Sequence, residues 1–155
     1  NQGDIWIAEA GQSDFTARWL NEVIKKIPKG DLKADINIIQ HSEWNEQQTN
    51  SKSLEFTKRI ATYYKIPDGN KKNNGSAGFN EINKSALDRL VTHSVTGSSW
   101  QIAIELAHKY NGLNGRYFNQ VIANRGLDFS DASELIWIFS INEVTDVDSF
   151  IKWAE

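Results

Sequence analysis

Cysteine is absent from the 155 residues. Disulfides and thiolate-held metals are therefore excluded outright, and the redox compartment cannot be read from cysteine usage. Methionine is absent too, including at position 1, and the chain passes from Asn1-Gln2-Gly3 into strand-like sequence by Ile5. That start leads us to expect a processed or excised piece of a longer precursor, secreted or periplasmic, its signal peptide or upstream region removed. Strong charge of either sign is missing. The net charge is −3, which argues against a basic surface for nucleic acid. No apolar run approaches the roughly 18 residues that a membrane-spanning helix needs. The expectation is a soluble, globular chain in which residues 1–155 form one α/β domain or a fragment of one, long enough to bury a core.

Aromatic residues are plentiful, at 11% with six Trp. Such chains often stack sugars or bases on exposed rings, although the commoner place for Trp is the core.

The sequence IWIA (residues 5–8) reads as a buried strand, and Ser13 or Asp14 can cap the helix that follows. In that helix Trp19, Leu20, Val23, Ile24 and Ile27 recur at amphipathic spacing, and Pro28 with Lys29-Gly30-Asp31 stops it. DINIIQHS (residues 35–42) reads as a second buried strand. Strand, helix and strand with short links predict a right-handed βαβ unit with a parallel pair. Residues 43–52 read as a polar loop. Residues 53–66 read as a helix with Leu54, Ile60, Ala61 and Tyr64 inward, ended by Pro67. Residues 67–78 form the clearest loop, with a tight turn expected at Asn74-Gly75. The second half carries short helical patterns over residues 83–92, 99–110 and 117–124, then an apolar helix within residues 128–144. A last helix bears Phe150, Ile151 and Trp153, with Thr145 or Asp146 as its cap. The predicted fold class is α/β, a parallel βαβ core flanked by helices with a helix-rich C-terminal half. Two clear strands are few for such a sheet, which suggests part of a larger domain.

Three stretches could carry chemistry. Gly11 permits a sharp turn after the first strand, leaving Gln12, Ser13 and Asp14 at a helix N-terminus. Backbone N–H groups there can meet a ligand, and Asp14 favours a neutral sugar or a cation over phosphate. The alternative is a plain helix cap. His41, Glu43, Trp44, Asn45, Glu46 and Gln47 follow the second strand, so this segment should share a sheet edge with Gln12–Asp14. An aromatic beside an amide and carboxylates suits the gripping of ring hydroxyls, and a solvated loop with Trp44 packed inward is the other reading. Asp128 and Asp131, with Ser130 between, offer carboxylate oxygens to a hard cation such as Ca²⁺, or simply cap a helix. The three histidines, His41, His93 and His108, show no metal-ligand spacing, so zinc is not expected.

These residues together resemble the C-terminal half of the nucleoside hydrolase fold, and more closely the divergent nucleoside-hydrolase-like domains of secreted bacterial proteins. In that family a Gly-Pro-x-Thr-Asn turn opens a helix after one strand, a Glu-Phe-Asn segment after a later strand grips the ribose, and a late His-Asp pair supplies a calcium ligand. Here AGQSDF (residues 10–15) stands for the first, Glu43-Trp44-Asn45 for the second and Ser130-Asp131 for the third. The likeness covers residues 5–50 and 128–137. It departs where Gln12-Ser13-Asp14 replaces Pro-x-Thr, where Ser130 replaces the histidine that serves as general acid, and where no D-x-D-x-x-x-D-D run exists.

The resemblance implies an N-glycosidase domain, or a catalytically incomplete relative, binding a ribosyl or other small sugar or a nucleoside. It implies Gln12, Ser13, Asp14, His41, Glu43, Trp44 and Asn45 as substrate contacts and Asp131 as a ligand of Ca²⁺. Hydrolysis would require completion by an upstream Asp-rich segment, another segment of the same precursor. The alternative from a different class is a non-catalytic carbohydrate-binding module or a protein-interaction domain of a secreted bacterial protein.

Overall fold

A computed structural model describes residues 4–27 and 32–155, so residues 1–3 and the helix stop read at Pro28–Asp31 lie outside the described residues. In chain order the elements begin with strand β1 (Ile5–Ala8), helices α1 (Asp14–Lys26) and α2 (Leu32–Asp35), and strand β2 (Ile36–His41). Helices α3 (Glu43–Gln48) and α4 (Ser51–Ile60) and strand β3 (Thr62–Ile66) follow. Then come strand β4 (Asn80–Glu81), helices α5 (Lys84–Thr92), α6 (Gly97–Tyr110) and α7 (Gln120–Ala123), and strand β5 (Leu127–Asp128). Helices α8 (Ala132–Ile138) and α9 (Val147–Ala154) complete the chain. The protein is α/β, with a parallel βαβ core flanked by helices and a helix-rich second half. It divides into two compact units: Asn1–Asp68 with Asp131–Ser140, and Gly69–Ser130 with Ile141–Glu155.

The first unit holds a parallel sheet in the order β1-β2-β3. All six residues of β2 are buried, as a central parallel strand requires. The register aligns Ile7 with Ile38 and Ile38 with Tyr63, while Trp6 aligns with Asn37 and Ile39 with Tyr64. Alternation along each strand then gives the sheet two different faces. On one, Leu20, Leu32, Ile36, Ile38 and Ala61 form the buried core, with Ile7, Val23, Ile24, Phe56, Ile60 and Tyr63 packed against it. Helices α1 and α4 supply that cover. Trp6 and Tyr64 occupy the opposite face, where their rings meet Trp137 of α8 at centroid distances of 6.1 and 5.3 Å. The same alternation sends the Gln40 side chain toward α1 and the His41 side chain toward α8.

Four local readings change. Strand β1, expected to be buried, is an edge strand whose Ile5 and Trp6 are exposed, because only one of its sides pairs with a neighbour. Residues 43–48 form helix α3 rather than a loop, opened by Ser42, whose side chain accepts from the backbone N–H of Trp44. Asn45 is its one buried residue, so no apolar periodicity marks it in the sequence. The helix read over residues 53–66 ends at Ile60, and Thr62–Ile66 is a third strand. β-Branched and aromatic side chains favour that choice, and pairing with β2 fixes it. In α1, Leu20 is buried and Val23 and Ile24 join the core. Trp19, however, is exposed on the helix surface, and Ile27 lies past the last turn and is exposed as well.

The second unit centres on fully buried Phe79, whose ring stacks on Phe129 at 4.9 Å and meets Phe150 edge-on at 5.8 Å. Trp100 packs edge-on against both Phe129 and Phe150. Strands β4 and β5 form a short antiparallel pair, and Asp146 caps α9 through a capping box with Ser149.

Candidate functional site

Ligand sites of parallel α/β sheets form beyond the carboxyl ends of the strands, where successive βα loops converge. In the first unit that edge carries Glu9 and Gly11 after β1, His41 at the end of β2 with Ser42 to Asn45 after it, and Asp68 after β3. Gly11 adopts φ +107°, a left-handed backbone that favours glycine, and so turns the chain from β1 into α1.

Buried Gln40 ties the first two loops together. Its Nε2 donates to the carbonyls of Glu9 and His41, each at 3.3 Å, and its Oε1 lies 3.5 Å from the Ser13 hydroxyl. The Ser13 backbone N–H donates to Thr49 Oγ1 at 3.1 Å, and the Asn50 N–H donates to Asp14 at 3.3 Å. Ser13 occupies the N-cap position of α1 without making a side-chain cap bond. Its hydroxyl is turned into the sheet edge instead. Gln12 is half-buried in the same turn.

On the other face, the buried imidazole of His41 stands among carboxylates. Its Nε2 is 3.3 Å from Asp131 Oδ1, its Nδ1 is 3.6 Å from Asp68 Oδ1, and its backbone N–H donates to Glu134 Oε1 at 2.7 Å. Asn45, one helical turn along, lies with Nδ2 3.2 Å from both His41 Nε2 and the His41 carbonyl oxygen. Asp131 sits at the N-cap of α8 with no side-chain cap bond and is half exposed, whereas Glu134, one turn further, is fully buried. One carboxylate oxygen of Glu134, Oε2, is buried without a hydrogen-bond partner.

Burial opposes charging of His41, but the hydrogen bond to Asp131 and the negative charges of Glu134, Asp131 and Asp68 outweigh it and raise its pKa above the ordinary value. Burial pushes the Glu134 carboxyl up to about 7, against the pull of the His41 charge and the His41 N–H. Glu9 is likewise buried. Burial raises its pKa, opposed by hydrogen bonds from Thr16 and Ser13 and reinforced by the charge of Asp14. The edge thus offers an imidazole between two carboxylates, a protonatable acid and an amide, which can donate to and accept from hydroxyl groups or hold a cation.

Of the residues singled out in the sequence, His41, Asn45 and Asp131 meet in this cluster, and Gln12, Ser13 and Asp14 line the neighbouring turn. Glu43 turns away to Lys65, at 3.4 Å, and the Trp44 side chain is exposed. Asp128 belongs to the second unit, where it accepts from Asn119 Nδ2 at 2.6 Å, Asn70 Nδ2 at 3.0 Å and the Ser130 N–H. His93 accepts the N–H groups of Val95 and Thr96, and His108 contacts the Gly126 carbonyl. Asp68 and Glu134 are additions from the structure. Asp68 is hidden in the sequence because the third strand before it resembles a helix end, whereas Glu134 follows Asp131 at a spacing of three, one face of a helix.

The calcium implied at Asp131 fits this donor set poorly. Ca²⁺ takes six to eight oxygen ligands, whereas here a ring nitrogen is one of the three potential donors. Comparison with known protein families, with curated proteins and with solved structures returns no match.

Proposed function

We propose that the first unit is a nucleoside-hydrolase-like domain that binds a ribosyl or other small sugar at the carboxyl edge of its sheet. The observation that supports this reading is the His41 cluster. An amide and two carboxylates each reach within 3.6 Å of a ring nitrogen of His41, at the edge where α/β ligands sit. Sugar hydroxyls donate and accept at once, so vicinal hydroxyls match a carboxylate beside an amide. In this reading Asn45 and Asp131 hold the hydroxyls, and His41 orders the water or hydroxyl between them. Gln12, Ser13 and Asp14 form one wall, and Trp44 and Glu43 stand at the rim. Cleavage of an N-glycosidic bond would further require a carboxylate to activate water, so binding is the activity assigned to these residues.

Calorimetric titration of the full chain with ribose, then with nucleosides, tests the reading. Saturable ribose binding that is lost in Asn45→Ala supports it, and no heat with ribose or any nucleoside overturns it.

A second reading has its own observation. Trp6, Tyr64 and Trp137 form one partly exposed aromatic group on the α8 face. We propose it as the platform of a non-catalytic carbohydrate-binding module. Oligosaccharide binding abolished by Trp137→Ala and untouched by Asn45→Ala would select it.

A further inference from the structure

We infer that His41, Asp131 and Glu134 form a binding site for a borderline divalent cation, Zn²⁺ in character, rather than for Ca²⁺. One potential ligand atom from each residue lies within 4.8 Å of the other two. His41 Nε2 and Asp131 Oδ1 are 3.3 Å apart. A tetrahedral ion with bonds of about 2.0–2.1 Å separates neighbouring donors by about 3.3 Å, so this pair already stands at the edge length of a zinc tetrahedron.

Two independent observations point to a ligand there. Glu134 is fully buried, yet its Oε2 has no hydrogen-bond partner. A cation satisfies a buried carboxylate oxygen without any N–H donor. Behind the imidazole, Asp68 faces Nδ1 at 3.6 Å. An outer carboxylate on the far ring nitrogen orients a histidine so that the other nitrogen faces the metal, an arrangement common among metal-bound histidines. Asn45 keeps its bond to the His41 carbonyl whatever Nε2 binds.

The donor set decides which ion. One imidazole nitrogen with two carboxylates suits zinc and its neighbours in the first transition row, whereas Ca²⁺ takes oxygen ligands at about 2.3–2.6 Å in larger number. Three protein ligands leave a fourth position open to water or a ligand hydroxyl, the pattern of zinc sites that act on substrates. The site stands whether or not a sugar binds, so failure of the sugar reading leaves it intact.

The test is calorimetric titration of the chelator-treated full chain with ZnCl₂ and, separately, CaCl₂. We expect one Zn²⁺ per chain and no comparable heat from Ca²⁺. Asp131→Asn, a half-exposed position where the fold tolerates change, should weaken Zn²⁺ by at least about tenfold, and Asp68→Asn by about 10–100-fold through loss of the outer carboxylate. Zinc-edge X-ray absorption should show imidazole scattering that disappears in His41→Gln. If that variant does not fold, Asp131→Asn and Asp68→Asn carry the test. Absence of Zn²⁺ binding, Ca²⁺ binding as tight as Zn²⁺, or Zn²⁺ affinity unchanged in Asp131→Asn would each overturn the assignment.

Discussion

Replacing Glu134 by Gln should remove a pH-dependent weakness from the first unit. The carboxyl is fully buried and its pKa is pushed from the ordinary 4.5 up to about 7. A raised acid binds its proton more tightly in the folded chain than in the unfolded one. Its contribution to stability is therefore complete below the unfolded value and is lost as pH rises through the folded one. Each tenfold gain in proton affinity on folding is worth about 1.4 kcal/mol, so the wild-type chain should lose about 3 kcal/mol from this group between pH 4.5 and 8. The Gln side chain has nearly the same shape, and its carbonyl oxygen can still accept the His41 N–H. It does not titrate, and it removes one of the negative charges that hold the His41 proton, so the comparison reads the two groups as a pair. Urea melts with chelator present, at half-unit steps of pH, provide the assay. The two proteins should be nearly equal at pH 4.5, and Glu134→Gln should be more stable by about 2–3 kcal/mol at pH 8. Parallel stability profiles, or a wild type that gains on the variant as pH rises, would show that the Glu134 carboxylate is not penalised by its burial.

Three further expectations concern the framework. Leu20→Ala, at a fully buried core position of α1, should cost about 3 kcal/mol in denaturant midpoint analysis, and a loss under about 1 kcal/mol would mean that the core beneath β2 collapses freely. Gly97→Ala places a Cβ against the Val91 carbonyl and should lower stability by about 1–3 kcal/mol in the same melts, whereas helix propensity alone would make it stabilising. Asp146→Ala removes the α9 capping box and should cost about 1 kcal/mol, read by thermal melts, with the loss fading as the wild-type carboxyl is protonated in acid. Hydrogen bonding from Ser149 holds that carboxyl below its ordinary range, so its stabilisation is present at neutral pH and disappears as pH falls through the lowered value.

The parts of the fold that are legible in the sequence are those written in one periodicity. The apolar run of β2 and the amphipathic face of α1 announce a parallel βαβ unit because burial on both faces of a strand and on one stripe of a helix leaves its mark locally. The strand β3 is not legible. Ile60, Ala61 and Tyr64 fit a helical stripe as well as they fit a helix end followed by a strand, and only pairing with β2 decides between them. Helix α3 escapes notice for the opposite reason: its polar surface carries one buried residue. At the site, His41, Asn45 and Asp131 stand out for their chemistry, but their meeting depends on α8 lying over β2. No local pattern encodes that contact. Ser13 reads as a cap, and its hydroxyl serves the sheet edge because Gln40 stands beneath it.

Asp68 and Asp131 face opposite nitrogens of one imidazole, and they are also the points at which the chain leaves the first unit and returns to it. The cluster therefore acts as a knot at the neck of a long insertion. While His41 binds both carboxylates, the ends of residues 69–130 are held together and the entropy of closing that loop is already spent. Anything that clamps the cluster, a proton on His41 or a cation, thus also holds together the two points of the first unit from which residues 69–130 depart and to which they return.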